Sequence, residues 1–156
     1  MLKRIVDSTP ISLTRGIKTI ARITPFVVEK HSLELCLKRV FHEAIAMDEL
    51  DFWQGRFLAI HIVDLNKRWV IEATPTGFCV YDSKQKSEAT ISGNLKEFAL
   101  LAMRKEDPDT LFFHRRLNIE GDTELSLGVK NLIDGLDGFE LSDSLNKVLE
   151  KSLRLL

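Results

Sequence analysis

The chain has 156 residues, 44% apolar and 29% charged, a length and balance that suit one folded domain with a short extension. Repeat periods, low-complexity tracts and apolar runs near the ~18 residues of a bilayer span are all missing from the sequence, which excludes a solenoid, a disordered chain and a membrane-spanning helix. Net charge is −1, yet residues 1–47 carry eight Lys or Arg against four Asp or Glu, so a basic arm precedes an acidic body and points to an anionic partner at one end. The opening MLKRIVDSTPISLTRG lacks a continuous apolar stretch of signal-peptide length, and a cytosolic protein is expected. Cys36 and Cys79 then read as reduced, mostly buried thiols.

Thr9-Pro10 caps a first helix, and Thr24-Pro25 ends or kinks it, because the residue before proline avoids the α region. At helical spacing Leu13, Ile17, Ile20 and Ile23 share one side, and Arg15, Lys18 and Arg22 lie opposite. Two readings stay open: the apolar stripe packs on its own domain, or the helix lies on an anionic membrane surface held by Arg15, Lys18 and Arg22. A second helix is expected from Phe26 to Met47, with Leu33, Leu37, Val40, Phe41 and Ala44 facing the core. Asp48, Glu49 and Asp51 close it.

From Arg56 the period changes to two. Strands are expected at Phe57–Val63, Trp69–Thr74, Phe78–Tyr81 and Glu88–Ser92, joined by polar turns as an antiparallel meander. Asn94 caps a helix with the stripe Leu95, Phe98, Ala99, Ala102 and Met103, and Pro108 ends that region. The apolar patch Leu111-Phe112-Phe113 precedes a fifth strand near Arg116–Glu120. Asp122 caps a helix carrying Leu125, Val129, Leu132, Ile133 and Leu136, broken by Gly135 and Gly138. A last amphipathic helix from about Ser142 aligns Leu145, Val148, Leu149 and Leu153. The order predicts an α+β fold: a five-stranded, largely antiparallel sheet covered by helices, with an N-terminal helical extension.

Catalytic and metal motifs are missing from the sequence. It has no Gly-rich phosphate loop and no G-x-S-x-G elbow. His31, His42, His61 and His114 lack ligand spacing; His31 and His42 are eleven residues apart, roughly 16 Å along a helix. The acidic trio at 48–51 reads as a solvated helix end. His114-Arg115-Arg116 reads as surface charge or as a phosphate contact, but the acidic body and missing interleaved aromatics exclude nucleic acid as the partner. No cofactor, no metal and no catalysis are expected; a small enzyme using His61 or His114 as a base is the weakest alternative.

The run LFFHRRLNIEGDTELSLGVKNLID, residues 111–134, resembles the signature of the sterol carrier protein type-two family. Phe112-Phe113 leads into Arg116-Leu117-Asn118-Ile119-Glu120, then Gly121-Asp122 opens a helix from Leu125 to Ile133. The likeness covers roughly residues 45–137, with Phe57–Val63 as first strand and Leu95–Met103 as the helix after four strands. With its helical extension, the whole chain is most similar to the bacterial members that serve oxygen-independent ubiquinone biosynthesis. The resemblance implies an apolar tunnel between sheet and helices for an isoprenoid quinone intermediate or a phospholipid, and iron–sulfur hydroxylase-type ubiquinone biosynthesis proteins as partners. It implies three parts: residues 1–44 as extension, 45–137 as lipid-binding domain, 138–156 as C-terminal helix. A cytoplasmic protein, peripheral at the inner membrane, fits both.

Candidate tunnel residues come from the sheet (Phe57, Ile60, Ile62, Val70 and Phe78) and from the helices (Phe98, Ala102, Phe112, Leu125, Val129 and Leu132). The competing expectation is a non-catalytic protein-interaction module whose core is solid. Periodicity alone does not separate a filled core from a hollow one.

Overall fold

The computed structural model describes residues 22–136 and, singly, residues 15, 16, 19, 20, 147 and 154. Lys18 and the expected helix from Ser142 fall outside the described residues, apart from Lys147 and Arg154. Residues 15, 16, 19, 20, 22 and 23 have helical backbone. Pro25 then takes an extended conformation (φ −62°, ψ 142°), so the chain breaks where Thr24-Pro25 is expected to break it.

The next helical segment is interrupted once. Helix α1 spans Phe26–Val40 and α2 spans His42–Ala46. Phe41 leaves the helical region between them (φ −102°, ψ 22°) and is itself buried. A 3-10 turn at Asp51–Trp53 follows, then strands β1 (Phe57–Ile62), β2 (Lys67–Thr74), β3 (Gly77–Tyr81) and β4 (Ala89–Gly93). Helices α3 (Leu95–Ala102) and α4 (Pro108–Phe113), strand β5 (Leu117–Gly121) and helix α5 (Thr123–Asp134) complete the domain. Pro108 does not end a region. It opens α4, where its missing N–H costs nothing.

The α+β class and the five strands are as expected, but the simple meander is not. The sheet order is β3-β2-β1-β4-β5, with β4 parallel to β1 and all other pairs antiparallel. Residues 82–88 must therefore travel from the β3 edge across β2 and β1 to reach β4. Arg68 on β2 pins this crossing: its Nη1 donates to Ser83 O (2.7 Å) and Gln85 O (3.0 Å), and its Nη2 to Ser87 Oγ (2.9 Å). Ala59 and Val70, on the face the crossing spans, are 0% exposed.

The core lies on the other face. Leu58, Ile71, Phe78, Val80, Ala89 and Ile91 point from the strands into it, and Leu125 and Val129 close it from α5. Trp53 anchors the centre, edge-on to Phe78 at 5.3 Å, with its Nε1–H donating to Ile71 O. Burying each of the Val, Leu, Ile and Phe side chains among them stabilises by roughly 1.5–3 kcal/mol.

Helix α1 covers the β3 edge with polar chemistry. Lys30 Nζ donates to Val80 O (2.8 Å), and Val80 N–H donates to Glu34 Oε1 (2.9 Å). The outward backbone groups of Val80 on this edge strand are thereby paired within the chain, which hinders edge-to-edge association there. Burial alone would raise the Glu34 carboxyl, but bonds from Lys30 and Val80 hold it below its ordinary value. The same helix reaches β2, where Glu29 accepts from Lys67 Nζ (2.5 Å) and Trp69 Nε1 (2.9 Å).

Candidate functional site: an apolar pocket where the helix ends meet

Four helix ends converge over one corner of the sheet. Val40 comes from the end of α1, Leu101 and Ala102 from the end of α3, Pro108 from the start of α4, and Ile133 from the end of α5. With Phe41 and Leu136 they line an apolar pocket of about 190 Å³, rimmed by Arg104 and Glu106. A second, more polar pocket of about 240 Å³ lies beside it; Val40 and Leu136 line both. Apart from Arg104 and Glu106 the lining of the first pocket is apolar, a surface suited to an apolar group withdrawn from water.

The rim is fixed by charge. Arg116, at the start of β5, donates from Nε to Glu97 Oε2 (2.8 Å) on α3 and from Nη1 to Glu106 Oε2 (2.5 Å) beyond it. The bond to Glu106 and the adjoining carboxylates push the Arg116 guanidinium further up, so it stays charged. Arg104 takes a left-handed backbone (φ 52°), and its guanidinium donates to Asp134 O.

The expected tunnel residues are not gathered in one place. Ala102 lines the apolar pocket and Leu132 its polar neighbour. Ile62, Phe78, Leu125 and Val129 stand on the helix-covered side but are buried in the core, with Ile60 and Phe98 resting against it. Phe112 faces a shallow groove with Phe113, His114 and Lys130. Phe57 and Val70 stand on the opposite face, because alternation along β1 and β2 turns them away from Leu58 and Ile71. There Phe57 meets the Tyr81 ring at 5.5 Å.

The lining residues not expected there include Val40, Phe41, Leu101, Ile133 and Leu136. All but Leu101 stand on stripes read as core-facing, and Ile133 and Leu136 flank the breaker Gly135. At a helix end a side chain lacks a neighbour on the next turn and is free to line a gap.

Arg15 and Arg22 are exposed. Near them Ile20, Ile23 and Val27 are 62%, 72% and 74% exposed, an apolar run left uncovered among the described residues. Neither cysteine is disulfide-bonded, and Cys36 is exposed rather than buried, since it sits on the outward side of α1. Among the described residues no cluster of His, Cys, Asp and Glu could hold a metal ion, and no helix is long and apolar enough to cross a membrane.

Residues 33–134 match the model of the SCP-2 sterol transfer family. Over 146 residues the chain is 38% identical to the ubiquinone biosynthesis accessory factor UbiT of Escherichia coli (strain K12), spanning 94% of this chain and 81% of that protein. The UbiT proteins of two further E. coli strains, O6:H1 and O157:H7, match equally. Among solved structures, a ubiquinone synthesis protein described as UbiJ-SCP2 superposes with TM-score 0.58 at 15% identity, over 71% of this chain and 93% of that one. The sterol carrier protein domain 2 of Helicoverpa armigera gives 0.53 at 17% identity, over 71% and 90%.

Proposed function

The chain belongs to the SCP-2 sterol transfer family, and on that premise we propose that it is a non-catalytic lipid-binding accessory factor in ubiquinone biosynthesis. It holds the tail of an isoprenoid quinone intermediate, or a phospholipid tail, while the ring is presented to other proteins. One observation carries the reading: in a fold of this family, an apolar pocket opens where α1, α3, α4 and α5 meet. Each CH₂ moved from water into such a pocket gains ~0.8 kcal/mol, and no directional bond is required. The likeness to UbiT supports the pathway. Oxygen-independent hydroxylation, with iron–sulfur hydroxylase-type partners doing the chemistry, is the step we propose.

At about 190 Å³ the pocket is smaller than the ~300–1,000 Å³ of typical ligand sites. A long tail therefore enters by widening it. The division into a helical extension (1–44), a lipid-binding domain (45–137) and a C-terminal helix (138–156) belongs to the proposal. So does a cytoplasmic protein that touches the inner membrane through Arg15, Lys18 and Arg22. The solid packing of Val70, Leu125 and Val129 favours a second reading, a pure protein-interaction module.

Native mass spectrometry of gently purified protein separates the two. The carrier reading expects co-purifying lipid, and uptake of a fluorescent acyl probe that Ala102→Trp reduces at least several-fold by filling the pocket. A clean protein mass with no uptake by the unaltered chain selects the interaction module.

A further inference from the structure

Helix α3 is a weakly anchored wall of the pocket. None of its eight residues is buried, although Leu95, Phe98, Leu100 and Leu101 are all apolar; α1 has no buried residue either, but Lys30 and Glu34 tie it to the β3 edge. By contrast α5, across the pocket, buries Leu125, Ser126 and Val129. Polar contacts fix α3 from outside. Leu95 N–H donates to Asp64 Oδ1 (2.9 Å) at its start. Arg116 holds Glu97 near the start of the helix and Glu106 just past its end. The three side chains of this bridge are partly withdrawn from water, at 33%, 15% and 31% exposure, so they attract more strongly than a fully solvated set.

We propose that α3 is a lid on the pocket and that Arg116 is its latch, a positioning residue that sets how fast a long-chain amphiphile enters and leaves. The inference rests on the tail-binding reading of the same pocket. While Arg116 bridges Glu97 and Glu106, Leu101 and Ala102 keep the pocket small. When the bridge opens, α3 swings on the Asn94 and Met103–Arg104 turns, and the space beneath it joins the pocket. Phe98 is the apolar contact that returns the helix to its place.

Two measurements on the full chain test this, one with lipid and one without. Stopped-flow uptake and release of a fluorescent fatty acid should both accelerate about fivefold in Arg116→Gln, with the dissociation constant and melting temperature little changed. In the unaltered protein the rates should rise with salt, as the bridge is screened, and that salt dependence should vanish in the variant. Glu97→Gln, which keeps the Arg116–Glu106 half, should show a smaller acceleration and covers the case of an Arg116 variant that does not fold. Hydrogen exchange, without lipid, should show α3 amides about fivefold faster in Arg116→Gln and faster by a smaller factor in Glu97→Gln, while α5 amides are unchanged. Unaltered α3 exchange, or equal acceleration across the whole domain, overturns the lid. If the unaltered chain takes up no probe, the carrier reading fails, and hydrogen exchange still decides whether Arg116 latches α3.

Discussion

Tyr81 is the one tyrosine in the chain, and its hydroxyl donates to Glu72 Oε2 at 2.7 Å. That bond, with burial and the nearby Glu72 charge, pushes its pKa up to about 12 from 10.0. The raised value stabilises the fold fully below pH 10, and the contribution is lost as pH rises through about 12. Ultraviolet titration should show a single phenolate transition near 12 that moves back toward 10 in Glu72→Gln; a midpoint of 10 in the unaltered protein contradicts the bond. Gly128 makes a different demand. A Cβ there would lie 2.5 Å from the Phe52 ring, which packs beside Trp53. Alanine would favour the helix by about 1 kcal/mol, but crowding a packed ring costs about 1–3 kcal/mol. Gly128→Ala should therefore lower the urea midpoint, and Phe52→Leu in the same chain should recover part of the loss. Additive losses would show that the ring is not the cause.

At the scale of elements, the turn into α5 is the most tightly specified joint. Gly121 has φ 100°, and a Cβ on it would sit 2.3 Å from Glu88 O. Asp122 follows, accepting Leu125 N–H (2.8 Å) as the helix cap and pairing with Arg56 (2.7 Å). The backbone bond from Leu125 and then the Arg56 guanidinium hold its carboxyl below 3.8. A depressed carboxylate stabilises above its unfolded pKa, so this contribution is present above about pH 4 and is lost as pH falls through the folded value. Acid unfolding of Asp122→Ala should thus depend less on pH than that of the unaltered chain, while Asp122→Asn should keep the cap and lose only the pH dependence. An unchanged acid midpoint in both variants would show that the joint is held by something else. This turn was legible in the sequence because Gly-Asp before an apolar stripe carries its own mechanism. The stripes of α1, α3 and α5 were legible for the same reason. The place of β4 was not, since a polar loop looks the same whether it folds back or crosses the sheet. Arg68, which pins the crossing, reads as any surface arginine. The pocket was hidden too: it forms where helices end, and only their packing says which ends meet.

At the scale of the molecule, a basic amino-terminal arm of the sequence, exposed at Ile20, Ile23 and Val27, precedes a domain with an apolar pocket. Those two features make different predictions. Flotation with anionic vesicles should carry the full chain but not the chain shortened by residues 1–24, and added salt should weaken the binding. Equal flotation of both would remove the membrane role from Arg15, Lys18 and Arg22. The pocket is tested most directly by a fatty acid with a photoreactive diazirine near its tail, cross-linked to the protein and mapped by peptide mass spectrometry. Labelling should concentrate on Val40, Leu101, Ala102, Ile133 and Leu136. Labels scattered over the surface, or confined to the Phe113 groove, would place the tail elsewhere and contradict a pocket between the helix ends.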